Sequence, residues 1–132
     1  MSKTVRTVTV KSTPAKMAHA VEVGMHRFRA DEPLDEGGED SAPSPFEYLS
    51  TALGTCTAIT IKVYGARKGW PVDGVSVTVD QVRSLEETVF KRTITLPAGL
   101  DAEQRQRLLD IANRCPVHKA LSGKIVIESV LV

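Results

Sequence analysis

Apolar residues fall in two different rhythms along this chain, and the change from one to the other predicts the order of its elements. Residues 4–10 alternate around Val8 and Val10, and residues 17–29 continue with period two through Met17, His19, Val21, Val23 and Met25. Both stretches read as strands. The segment Ala30-Asp31-Glu32-Pro33-Leu34-Asp35-Glu36-Gly37-Gly38-Glu39-Asp40 is acidic and carries Gly and Pro, so it reads as a loop. Ser41-Ala42-Pro43-Ser44-Pro45 then leads into a helix, with Ser44 as N-cap and Pro45 as the first helical residue.

In that helix Phe46, Leu49, Leu53, Cys56, Thr60 and Val63 recur at steps of three and four, while Ala52, Ala58, Ile59 and Ile61 make other faces apolar too. A helix apolar on most sides must be buried on most sides. One small sheet covers a single flank, so the other is expected to meet a partner subunit. Gly69, just before Trp70-Pro71, marks the helix end. Strands around 75–79 and 90–96 are expected to form a hairpin. A second helix opens at Asp101 as N-cap, with Gln104 completing a capping box. Leu108, Ile111 and Ala112 form its inner stripe, Cys115 continues that face, and Pro116 is expected to close it. After a turn through His118, Ile125, Ile127 and Leu131 mark a final strand. The order is β-β-α-β-β-α-β, with room for an extra early strand, and it describes residues 1–132 as one α+β domain.

Bulk properties narrow the function. The formal charge is 17 basic minus 16 acidic residues, or +1, which supplies no basic field for nucleic acid or anionic membrane. The most apolar run, 48–66, carries Lys62 and several Thr, so no membrane span is expected. The start Met1-Ser2-Lys3-Thr4-Val5-Arg6 has no apolar core of a secretory signal, and the expected setting is the reducing cytoplasm. In such a compartment a thiol pair is more often catalytic, redox-sensing or metal-binding than a permanent disulfide.

The chemistry therefore turns on Cys56 and Cys115, since there is no phosphate loop and no Ser/His/Asp elbow. Free cysteine is among the most buried residue types, and both thiols also fit as small buried hydrophobes. A working Cys56 needs its thiolate form. The helix dipole fades before mid-helix and apolar burial opposes ionisation, so a cation must compensate. Arg27 or Arg29, on the strand before the acidic loop, can supply it. A thiolate that attacks a peroxide becomes a sulfenic acid, which a second thiol captures as a disulfide. The fold must bring the two Cα atoms, 59 positions apart in sequence, within roughly 4.4–6.8 Å for that bond. Cys115-Pro116-Val117-His118 also has the spacing of one close pair of zinc ligands, but structural zinc sites generally show two, so no metal is expected. Glu47 lies in the first turn of the long helix, where an acid is favoured.

Several stretches together resemble the OsmC-like superfamily, which includes the organic hydroperoxide resistance proteins. They are Ala30-Asp31-Glu32-Pro33, Gly37-Gly38-Glu39-Asp40, Ala42-Pro43-Ser44-Pro45-Phe46-Glu47-Tyr48-Leu49 and Ala52-Leu53-Gly54-Thr55-Cys56-Thr57-Ala58. Arg67-Lys68-Gly69-Trp70-Pro71, 104–109 and Cys115-Pro116-Val117-His118 extend the likeness, which is to the branch bearing the Arg-Lys-Gly-Trp-Pro and Cys-Pro-Val-His signatures. The resemblance implies an intertwined homodimer, with long central helices packed between antiparallel sheets and two sites at the subunit interface. It implies that Cys56 is the peroxidatic cysteine and Cys115 the resolving one, in a thiol-dependent reduction of organic hydroperoxides to alcohols without metal, haem or other cofactor. An external thiol or dithiol is the implied reductant. Two positions depart from the well-studied peroxidase branches. Phe46 stands where a Glu follows the helix-opening Pro, with Glu47 one residue later and about 100° around the helix. Arg27-Phe28 matches the arginine pattern of one branch, with Arg29 the reserve.

The expected function is thus a thiol peroxidase in which Arg27 orients the peroxide and Glu47 holds Arg27. Apolar Phe46, Leu49 and Leu53 would favour alkyl hydroperoxides over hydrogen peroxide. The alternative is a non-catalytic dimeric module that binds an apolar ligand, with the cysteines as packing or a redox latch. Acyl transfer at Cys56 is weaker, because no His/Asp orienting pair is visible.

Overall fold

The computed structural model describes residues 2–132, and the chain divides into two compact units, Met1–Leu49 and Ser50–Val132. In the first, β1 (Val8–Ser12), β2 (His19–Val23) and β3 (His26–Ala30) form an antiparallel sheet in chain order. The alternation over 17–29 is thus two strands, not one. It breaks at Gly24-Met25, where Val23 pairs with His26 and Gly24 takes φ 57°. A left-handed residue at the first central position is what a two-residue hairpin turn needs, and period-two patterning runs straight through such a turn.

The acidic loop folds around Asp31, whose side chain is enclosed. Its carboxylate accepts the backbone N–H of Glu32 at 2.8 Å, the N–H of Ser41 at 3.0 Å and the Ser41 hydroxyl at 2.6 Å. The Ser41 hydroxyl and N–H, then the Glu32 N–H, hold the carboxyl down at about 2, against an ordinary 3.8. A carboxylate with a depressed folded-state pKa stabilises the fold above its unfolded value, and loses that contribution as pH falls through the folded one. Thermal melts are accordingly expected to show wild type above Asp31→Asn at neutral pH, the gap closing as pH falls from 3.8 to about 2. A gap that persists unchanged at the acid end would mean that the loop does not depend on the ionised carboxylate.

Helix α1 (Pro45–Lys68) runs from the first unit into the second. Its start is the expected one. The Ser44 hydroxyl accepts the Glu47 N–H at 3.2 Å, and the Glu47 carboxylate accepts the Ser44 N–H at 2.8 Å. Its end is also as expected. Gly69 at φ 71° lets the Trp70 N–H reach the Gly65 carbonyl at 2.9 Å and its own N–H reach Ala66 at 3.1 Å. The buried stripe differs, however: it is Leu53, Thr57, Ile61 and Gly65. Phe46, Leu49, Ile59 and Val63 stay exposed.

In the second unit, β4 (Ser76–Arg83) and β5 (Thr88–Thr95) form the expected antiparallel hairpin, closed by the Ser84–Glu87 turn. Helix α2 (Ala102–Ala112) opens with the expected reciprocal box between Asp101 and Gln104. Ile61, Val72, Leu108 and Ala112 form the core, flanked by Tyr64, Trp70, Val75, Ile94, Leu96 and Leu100. Two expectations are corrected here. Helix α2 ends at Ala112, and Pro116 begins a further short helix, α3 (Pro116–Ser122), instead of closing α2. A proline at the first helical position loses no bond, since that N–H has no partner within the helix. The final strand does not form: residues 124–132 join no ladder, and Ile125, Ile127 and Leu131 are exposed. Alternating pattern supplies a face, but a strand also needs an edge to bond with. Among the described residues, no helix is long and apolar enough to cross a membrane.

Candidate active site

The second unit brings Cys56 and Cys115, both free thiols, close enough for Cys115 to act on the ionisation of Cys56. Cys56 sits mid-way along α1 and is partly open. Cys115 is completely enclosed. The turn at 113–115 places Cys115 as N-cap of α3, where its sulfur accepts the His118 N–H at 3.3 Å. The neighbouring Val117 N–H points at the Cys56 sulfur, 3.5 Å away. Successive N–H groups of the first turn of α3, which have no intrahelical acceptor, therefore each point at a sulfur.

Burial pushes the Cys56 thiol above its ordinary 9.0, the Val117 N–H opposes that rise, and the adjoining Cys115 thiol adds to it. The Thr60 hydroxyl lowers it slightly. At rest Cys56 is thus mainly a thiol.

A guanidinium does reach this cluster, and it is Arg92 of β5. Its Nη1 donates to the Thr57 hydroxyl at 3.0 Å and to the Ala112 carbonyl at 3.4 Å. Its Nη2 donates to the Asn113 side-chain oxygen at 2.8 Å and lies 3.2 Å from His118 Nδ1. Thr57 in turn lies against Cys115, Oγ1 to Sγ 3.8 Å, and donates to the Leu53 carbonyl at 2.7 Å. With Arg92 as donor, His118 Nδ1 is the acceptor, so its ring proton resides on Nε2.

Sequence reasoning missed Arg92, although a signal was present. Along β5 the partly buried positions include Phe90, Arg92 and Ile94, while Lys91, Thr93 and Thr95 are exposed. A charged residue in the inward phase of a strand needs a polar partner, and the thiol cluster's Thr57 is one. The other expected residues lie in the first unit. Arg27 pairs with Glu22 at 3.6 Å and donates to the Gly24 carbonyl at 3.3 Å. The Arg29 carbonyl accepts the Tyr48 hydroxyl at 2.5 Å. Glu47 serves the capping box. Among the described residues no His, Cys, Asp or Glu side chains are grouped for metal coordination.

Residues 38–130 match the family model of OsmC-like proteins. The chain belongs to the OsmC-like family. Solved structures share this OsmC-like fold. An OsmC-like protein from Mycoplasma pneumoniae superposes with a TM-score of 0.77 at 16% identity, over 93% of this chain and 90% of that one. An organic hydroperoxide resistance protein from Legionella pneumophila gives 0.66 at 21% identity, over 93% of both chains. The organic hydroperoxide resistance protein OhrB of Bacillus subtilis gives 0.60 at 20%, over 91% of this chain and 92% of its own. No curated protein sequence matches the chain. The α+β class with antiparallel sheets agrees with these OsmC-like structures.

Proposed function

We propose that this OsmC-like protein reduces organic hydroperoxides with its two thiols. The observation that carries the reading is that consecutive N–H groups of α3 reach a partly open Cys56 and an enclosed Cys115, both reduced. The Cys56 thiolate attacks the terminal peroxide oxygen. A sulfur–oxygen bond forms, the O–O bond breaks, and the alkoxide takes a proton and leaves as the alcohol. Cys115 then attacks the resulting sulfenic sulfur, the disulfide forms and water leaves. An external thiol or dithiol regenerates both thiols by exchange. Accessibility sets the order, because only Cys56 is open to meet the substrate first. The names of the Legionella and Bacillus structures point the same way for substrate class.

Stoichiometric alkyl hydroperoxide is expected to give a Cys56–Cys115 disulfide that dithiothreitol reverses. Cys115→Ser is expected to accumulate sulfenic and higher acids at Cys56. Peptide mapping decides. Consumption of hydroperoxide with neither product would sink the two-thiol mechanism. One observation favours the binding-module alternative: an open groove of about 360 Å³ lined by Ser50, Thr51, Gly54, Thr55, Ala58, Val77 and Val79. In that reading the thiols serve as packing or a redox latch, and rapid sulfenate formation at Cys56 would not be seen.

The working unit in this proposal is a homodimer. Its support is the apolar surface left open on α1, with Ile59 61% exposed, and on residues 124–132.

A further inference from the structure

The Arg92 cluster has a geometry that the reaction as written does not use. All four of the guanidinium's partners, the Thr57 hydroxyl, Ala112 carbonyl, Asn113 amide oxygen and His118 Nδ1, are neutral. The fixed positive charge is held rigidly and is not spent on a carboxylate among them. Through Thr57 it is directed at one sulfur only. Thr57 Oγ1 lies 3.8 Å from Cys115 Sγ, whereas the groups acting on Cys56 are the Val117 N–H, Cys115 and Thr60.

We infer that Thr57 and Arg92 serve the second chemical step, capture of the Cys56 sulfenate by Cys115, and not the attack on peroxide. The inference rests on the two-thiol reading above. In that step Cys115 gives up its proton and its sulfur attacks the Cys56 sulfenic sulfur. The S–S bond forms, the S–O bond breaks, and the departing hydroxide takes a proton to become water. Negative charge gathers on the enclosed Cys115 sulfur as the proton leaves.

The Thr57 hydroxyl can meet that charge by one rotation. In the thiol state it donates to the Leu53 carbonyl at 2.7 Å. That carbonyl sits four residues earlier and keeps the backbone N–H of the helical ladder, so losing the hydroxyl leaves it satisfied. The hydroxyl hydrogen is then free to turn to the sulfur. Arg92 donating into the same oxygen makes the hydroxyl a stronger donor, as chained hydrogen bonds polarise one another. The His118 N–H, 3.3 Å from the sulfur, supplies the second donor. Thr57 touches the reacting atom; Arg92 acts through it and is a positioning residue.

The test separates the two steps in time. Reduced protein is mixed with stoichiometric cumene hydroperoxide, quenched at intervals with a sulfenate-specific dimedone reagent, and mapped by mass spectrometry. Thr57→Val removes only the hydroxyl at nearly constant volume. It is expected to form the sulfenate within about twofold of the wild-type rate, yet to form the disulfide roughly ten- to a hundredfold more slowly, the range for losing a hydrogen bond to a charged group. With excess hydroperoxide it should pass on to sulfinic acid. Thr57→Ser should restore the wild-type disulfide rate, which a mere packing defect would not allow. Arg92→Gln should slow the same step. The inference is overturned if Thr57→Val closes the disulfide as fast as wild type, if both steps slow together, or if Thr57→Ser fails to rescue. A wild type that yields neither sulfenate nor disulfide would overturn the peroxidase reading itself, and this inference with it.

Discussion

Cys56→Ser is expected to lose hydroperoxide reduction by on the order of 10³-fold or more, because a hydroxyl cannot replace the thiolate as nucleophile. The same thiol sets the pH dependence. Burial, reinforced by the Cys115 thiol, raises Cys56 above 9.0, so its thiolate is the minor form at neutral pH. The rate of peroxide attack should then climb with pH through the neutral range and continue to climb past 9.0. Stopped-flow consumption of an alkyl hydroperoxide in single turnover reads this directly. A rate already level between pH 6 and 8 would show that the working form carries a cation next to Cys56 that outweighs its burial. Cys115→Ser provides the companion profile. Removing the neighbouring thiol takes away one cause of the rise, so its profile should move to lower pH. A profile unmoved by that change would mean that the two sulfurs do not act on each other before reaction.

Deleting residues 124–132 is expected to turn a dimer into monomers or aggregates. Full-length protein should scatter light at twice its 14.3 kDa chain mass across the micromolar range. The reason is the composition of the tail. Ile127 is 85% and Leu131 97% exposed, in a segment that joins no ladder. Burying such side chains is worth roughly 1.5–3 kcal/mol each, and a row of unpaired strand groups is a template for another chain. In the proposed homodimer a second copy would supply both an edge and an apolar cover, by the same strand addition that many peptide complexes use. A full-length mass of 14.3 kDa would reject the dimer. A truncated protein that still dimerises would shift the interface to the open face of α1.

Local rules carried the starts of α1 and α2 and the end of α1, because each is written in a few neighbouring residues. Ser44 and Pro45 start α1, Gly69 ends it, and Asp101 with Gln104 starts α2, all as read from the chain. The two thiols were likewise legible, through their own chemistry and the motifs around them. What failed were features whose deciding partner is distant. Pro116 is compatible with ending one helix or starting another, and only the turn at 113–115 chooses. The inner face of α1 is Leu53, Thr57, Ile61 and Gly65, because β4, β5 and α2 must be covered and several faces of the helix are apolar enough to cover them. The strand pattern at 125–131 is present without a strand, since hydrogen-bonding edges are not encoded in alternation. Arg92 lies 36 positions after Cys56, and its four partners come from α1, the end of α2 and the first turn of α3. The sequence alone determined the family, the class and the pair of sulfurs. Tertiary packing alone decided that a guanidinium, a threonine and two helix-turn N–H groups converge on them, because a charge is placed by the contacts that hold it and not by its neighbours along the chain.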